Sequence, residues 1–344
     1  LFANPIDKFR PSDKEIKRAL KKKKGSNLIY FGPGVHNLPN DTLFVPSGTT
    51  VYIDGGARVY GNIFTEGAHD VNIFGRGEVH PDGRGAGVWV RRSKNVRIDG
   101  IVVSQLPIGQ CDSVELTNVK SISYYGWGDG MDVFSSSNVI LDGVFCRNSD
   151  DCTAVYASTQ GFKGGSNNVL VKNATLWADV AHPINIGGHG DPNGMDTVQN
   201  VTFRNIDILD QAEKQIDYQG CLAINPGDNT LVRNITFENI RIEDFRNGQL
   251  VNFRISFNPK YCVSTGRGIH NVLVKDVTYN GSGENLSIIA GYDENHKISG
   301  IRFVNLVVNG RKITDDMPGK PKWYKTGDMA GIFIGEHVEN ISFE

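Results

Sequence analysis

The chain has 344 residues, with 36 basic against 38 acidic side chains and a net charge of −2. That balance gives no electrostatic footprint for nucleic acid or for an anionic membrane surface. No apolar run is long enough to span a bilayer.

The first segment, residues 1–26, reads as an N-terminal linker and capping helix, with Lys14 to Lys24 as one amphipathic helix. The basic run Lys21–Lys24 is expected on its solvated face. A helix at this place protects the open edge of whatever sheet follows. No signal peptide is recognisable at Leu1, and Asn340 to Glu344 open a repeat met many times earlier. The expectation is therefore a fragment cut within a coil, with room for a further N-terminal domain. Oligomeric state is not legible.

From residue 27 to 344 one phrase recurs. It reads Asn95-Val-Arg-Ile-Asp-Gly-Ile, then begins again at Asn118, Asn138, Asn168, Asn200, Asn234 and Asn271, at intervals of 20 to 37 residues. Each copy is a short strand of alternating apolar residues, a Gly, Asn or Asp turn, and a second β-branched strand. The period of 2 excludes an amphipathic helical fold, and the 40 glycines suit tight corners. A single coil cannot bury its own apolar face, so coils stack and neighbours complete the core. The predicted fold is all-β, a single right-handed parallel β-helix (a solenoid) with a short N-terminal capping helix. The recurring Asn residues are expected to stack as a hydrogen-bonded ladder at an inner corner. The five cysteines, Cys111, Cys146, Cys152, Cys221 and Cys262, have no zinc spacing and read as buried small residues. Cys146 and Cys152 are close enough in sequence for a local disulfide.

Stacking turns sequence offsets into positions on one face. Counted from the Asn opening each coil, Asp129 lies at +11, Asp150 and Asp151 at +12 and +13, and His182 at +14. Three consecutive coils thus place an acid, an acid pair and a histidine in one column. Carboxylates this close raise one another's pKa, which leaves one protonated and others ionised, as general acid–base chemistry requires. Both Asp150 and Asp151 face the same side only if the chain bends between them. A separation of about 6.5–9.5 Å, suited to inverting glycoside hydrolysis, is expected.

These residues resemble the polygalacturonase-like glycoside hydrolases of family 28, with dextranase-like β-helix families sharing the same acids. Asp150-Asp151-Cys152 matches the second family motif, and Trp127-Gly128-Asp129-Gly130-Met131-Asp132 occupies the first. The resemblance implies Asp150 as general acid, with Asp129 and Asp151 as the pair that activates water. For the motif histidine, Gly188-His189-Gly190 matches by letters, and Ala181-His182-Pro183-Ile184-Asn185-Ile186-Gly187 matches by context and by column count. His182 is taken as the catalytic one and His189 as part of the rim. The family's Arg-Ile-Lys grip on a uronate is not in place: Cys221 to Asn225 carries no basic residue, and Arg254-Ile255-Ser256 copies only part. This weighs against polygalacturonate and toward a neutral sugar or another uronide.

A polar groove for an extended chain is expected to use Trp127, Asp132, Tyr156, His189, Asp217, Gln219, Asn225, Arg254 and Tyr292. Asp210, Glu213 and Asp217 make calcium conceivable but form no recognised loop. No metal and no cofactor are expected. The partner is a polysaccharide or oligosaccharide, and the implied location is secreted or periplasmic. The reading is an inverting glycoside hydrolase. A polysaccharide lyase on the same fold and a non-catalytic carbohydrate-binding β-helix are the alternatives.

Overall fold

The computed structural model describes all residues except Leu1, Ala3, Lys22–Lys24 and Glu284. Apart from Lys21, the basic run predicted on the helix therefore lies outside the described residues. Twenty-eight strands join one continuous sheet, wound as a right-handed parallel β-helix. Among the described residues the sole antiparallel strand pair joins Ile298–Val308 to Arg311–Ile313 near the C-terminal end.

Register explains the core. Val71, Val96, Val114, Val139, Val169, Val201, Ile235, Val272 and Ile301 pair one after another and are all buried. Two residues on, Leu141, Val171, Phe203, Phe237, Val274 and Phe303 form a second buried row. Phe237 stacks on Phe203 at 5.9 Å and on Phe253 across the interior at 6.0 Å.

The asparagines do form a ladder, but at an exposed corner rather than an inner one. Asn168, Asn200, Asn234 and Asn271 have φ of 55–57°, the left-handed region that Asn tolerates best after glycine. Their amides donate outward along the stack: Asn168 to Asn138 at 2.7 Å, Asn234 to Asn200 at 3.1 Å, Asn271 to Asn234 at 3.3 Å. A second ladder runs through Asn173, Asn205 and Asn239. The corner turns the inward residue back inward, so the Asn side chain itself is left outside. Asn118 belongs to this second corner, because Thr117 pairs with Asp99 and Asp142. The first-corner residue of its coil is Ser113, also left-handed at φ 61°.

The N-terminal helix is shorter than expected, Asp13–Leu20, started by Ser12 and Glu15 in reciprocal capping bonds. It lies beside the first strand, Leu28–Phe31, with no fully buried residue. The residues before it are not a free linker. Phe9 stacks on Phe74 at 4.2 Å, and Tyr52 donates to Asp7 at 2.5 Å. All five cysteines are buried and none is in a disulfide.

Phe237→Ala is expected to lower unfolding stability by about 3–5 kcal/mol, since it opens a cavity between two stacked rings. A denaturant titration followed by circular dichroism checks this.

Candidate active site

The acids sit where the regular strands break. The strand Phe145–Asn148 ends, the chain bends through Ser149 and Asp150, and a new strand starts at Thr153. That bend lets neighbouring aspartates face one side. The backbone bonds Gly130 N–H to Asp151 O (2.8 Å) and Cys152 N–H to His182 O (2.8 Å) set Asp129, Asp150–Asp151 and His182 on three successive coils.

Two glycines make the approach feasible. A Cβ at Gly128 would lie 2.4 Å from Ser149 Oγ, and one at Gly130 would lie 2.2 Å from Cys152 O. Asn148, fully buried, donates to Ser121 and Ser123 at 3.0 Å and to the Asp129 carbonyl at 3.2 Å. Trp127 and Ala181, each at the mouth of a site segment, hold φ of 63° and 62°. Left-handed backbone at residues with a Cβ costs about 1–2 kcal/mol each, and such strain collects where surrounding structure enforces a functional geometry.

One oxygen each of Asp129, Asp150 and Asp151 lies within 4.8 Å of the others. This is closer than the expected 6.5–9.5 Å. Asp129 faces the pair from the adjacent coil at the strand spacing of about 4.8 Å, and the bend brings Asp150 and Asp151 of one coil to the same side. Among the described residues it is the one cluster whose donors are near enough to hold a cation.

The environments differ sharply. Burial pushes the Asp129 carboxyl well above the usual range, and the charges of Asp151 and Asp150 add to it. Asp150 is raised to about 6, again by burial and then by Asp151. For Asp151 burial also pushes upward, but the neighbouring His182 and the donors Asn185 and Tyr156 outweigh it and hold the group below the ordinary value. His182 Nδ1 is 2.7 Å from Asp151 Oδ1. Burial works against the imidazolium, yet Asp151 dominates and the histidine is raised.

The predicted binding residues divide. Trp127 stands 69% exposed beside the acids. Asp132 is only 4% exposed and accepts from Ala154 N–H at 3.1 Å, so it is a fourth acid beneath the cluster, not a groove residue. Tyr156 is likewise buried behind Asp151, donating to it at 2.8 Å. His189 packs its ring edge-on against Tyr156 at 5.0 Å and does not reach the acids. Gln219 has no exposed surface, and its amide serves Glu213 and Asn285. Asn225 is buried against Asn252. Both amides are satisfied by neighbouring polar groups, Gln219 also donating to Asn247 and Asn225 to the Arg254 carbonyl. Arg254 and Asp217 are paired at 2.9 Å, and Tyr292 is exposed further along the stack. Asp210 pairs with Arg246 at 2.5 Å, which separates it from Asp217 and Glu213.

Sequence reasoning missed Asn185, Tyr218, Lys260 and Tyr261, and raised Glu213 only as a conceivable calcium ligand. Asn185 was within reach: a polar residue between Ile184 and Ile186 points to the outer face, where the acids are. Tyr218 lies 6.3 Å from His182 ring to ring and 4.8 Å from Tyr261. Lys260 donates to Gln215 at 3.2 Å and stands over the Tyr261 ring at 4.7 Å. These loop residues carry no period that would have announced them.

The family model described as "Glycosyl hydrolases family 28" matches residues 87–318. A "Polygalacturonase" of Juniperus ashei is 27% identical over 219 residues, covering 60% of this chain and 39% of the relative. A "Probable endopolygalacturonase D" of Emericella nidulans is 26% identical over 311 residues, covering 80% of this chain and 55% of the relative. The chain thus spans about half the length of the curated relatives it matches. Of solved structures, a family 28 exopolygalacturonase of Yersinia enterocolitica shares the fold with TM-score 0.66 at 14% identity, over 95% of this chain and 74% of its own.

The raised Asp150 has a cost for the fold. Its folded carboxyl holds the proton more tightly than the unfolded one, so stability falls as pH rises from about 4 through about 6 and stays reduced above. Asp150→Asn is therefore expected to be more stable than the parent by ~1–3 kcal/mol at neutral pH and nearly equal to it in acid, as measured by denaturant midpoints at the two pH values.

Proposed function

The chain belongs to glycosyl hydrolases family 28, and on that premise we propose that it cleaves glycosidic bonds in a polysaccharide or oligosaccharide with inversion. The observation that carries this reading is the trio of carboxyls on adjacent coils in unequal environments, two raised and one lowered. Asp150, half-buried and raised to about 6, is suited to protonate the leaving oxygen. The base on the far side of the bond falls to the Asp129 and Asp151 carboxylates. His182 keeps Asp151 ionised and oriented. The exposed rings of Trp127 and Tyr124 beside the acids give flat apolar faces for sugar packing.

The names of the relatives make polygalacturonan the first substrate to try. Against a tight uronate grip stands Arg254, whose guanidinium is already engaged by Asp217. Export to the cell surface or beyond fits an enzyme of polymeric substrates and belongs to the same proposal.

One observation favours a second reading: the oxygens are close enough for a retaining pair. A lyase on the same fold would need a cation beside the acids. One set of experiments separates them. On a polysaccharide panel, the purified protein is expected to release reducing ends that Asp150→Asn releases about 10²–10⁴-fold more slowly. Proton NMR of the first product is expected to show the anomer opposite to that of the bond cut. The same anomer establishes retention, and unsaturated ends absorbing in the ultraviolet establish a lyase.

A further inference from the structure

We propose that Asp217 is a specificity-determining residue: held against Arg254 at the edge of the acid cluster, it makes the adjoining subsite one for a neutral, hydroxyl-bearing sugar and turns a uronate away. This rests on the hydrolase reading above and names the substrate class for that same site.

Register fixes where Arg254 stands. Asn185, which donates to Asp151, pairs with Ala223, and Ala223 pairs with Asn252. Arg254 lies two residues beyond Asn252, at the end of the strand Val251–Arg254, so its side chain leaves the same face of the sheet. Two strand spacings, about 10 Å, separate it from Asn185 along the stack. A sugar bound next to the one at the acids falls within reach of that side chain.

Asp217 comes to the same place from a loop. It sits in the single helical turn Ile216–Tyr218, whose Tyr218 ring lies 6.3 Å from the His182 ring and 4.8 Å from that of Tyr261. The loop is pinned. Gln215 N–H donates to Glu213 Oε1 at 2.7 Å, and Gln219 Nε2 donates to the Glu213 carbonyl at 2.6 Å. Asp217 Oδ1 accepts from Arg254 Nη1 at 2.9 Å. Among the described residues its other oxygen accepts from nothing, and the side chain is 61% exposed. A carboxylate oxygen so placed is an acceptor for a sugar hydroxyl.

Charge decides the class. A uronate is held best by a guanidinium that offers both arms to it. Arg254 has one arm committed to Asp217, and Arg147 and Arg246 are both engaged by Asp179. Lys260, on the facing loop, serves Gln215 and the Tyr261 ring, and an ammonium has no fork to present. Glu213, whose charge is felt at Asp150, adds to the acids on this side. An incoming carboxylate therefore meets like charge at Asp217 and no open guanidinium, which is how a binding surface rejects a wrong partner. A neutral sugar meets no such repulsion and gains the hydroxyl bond.

Affinity electrophoresis reads this without turnover. The parent and its Asp217→Asn and Asp217→Ala variants are run through gels holding polygalacturonan, its methyl ester or a neutral α-glucan. The parent is expected to bind a neutral polymer about 10-fold more tightly than polygalacturonan. Asp217→Asn keeps a hydrogen-bonding group and loses the charge, and it is expected to gain about 10-fold on polygalacturonan. Asp217→Ala is expected to gain likewise and to lose about 10-fold on the neutral polymer. Adding Arg254→Ala to Asp217→Asn is expected to erase the gain, because the freed guanidinium supplies it. With polymers that are cut, the same shifts are expected in KM, with kcat near that of the parent. A parent held no more tightly by either neutral polymer than by polygalacturonan overturns the proposal. So does an Asp217→Asn variant with no gain on polygalacturonan. The gels decide this even where no polymer is cut, and failure to cut any polymer counts against the hydrolase reading alone.

Discussion

Everything in this molecule follows from the distance between hydrogen-bonded strands. Coils in register place equivalent side chains about 4.8 Å apart, over and over. Apolar residues at that spacing become continuous rows such as Val139, Val169 and Val201. Amides become ladders, because a carboxamide donor then falls within reach of the carbonyl one coil away. Carboxylates at the same spacing become a problem for stability, and an opportunity for chemistry. The acid cluster needs two neighbouring coils that present Asp, and a bend that turns Asp150 and Asp151 of one coil to the same side.

The problem is managed asymmetrically. Three like charges within 4.8 Å are not all tolerable in a partly buried setting. One of them, Asp151, is given every donor that the neighbouring coils can supply. Among the described residues the other two receive backbone donors only, and burial raises both. Hydrogen bonding thus sorts identical side chains into different roles, and burial sharpens the difference. The left-handed backbone at Trp127 and Ala181 belongs to the same accounting, since both precede residues whose direction must be held against the regular run of the strand.

Much of this was legible in the residue order, and the limits have physical causes. The alternation of period 2 and the recurring Asn gave the solenoid, because core rows and corners impose their own pattern. The offset count brought Asp129, Asp150, Asp151 and His182 to one face even though Asn118 had been placed at the wrong corner. Two corners carry the same residue type for the same left-handed reason, so letters alone do not distinguish them. The direction of burial was less legible. Asp132, Gln219 and Asn225 look like groove residues in sequence, yet all three are buried against polar partners. The preference for His182 over His189 rested on the coil count, and it is His182 that lies against Asp151.

Loops and coils divide the labour in a way the repeat makes necessary. A residue in a coil is fixed by its neighbours above and below, which suits proton transfer, where a small displacement is costly. A residue in a loop is free of the register, so length and composition there can change without disturbing the core. Lys260 and Tyr261 stand in such a loop, and so do the covering residues Glu213 and Asp217. The stretch Cys221 to Asn225, which carries no basic residue, is part of a coil and is fixed by the strands on either side. Arg254 ends a strand of the stack and is paired with Asp217, whereas Lys260 stands in a loop. The acids and His182 are thus fixed by the stack, while Lys260 and Glu213 around them are not.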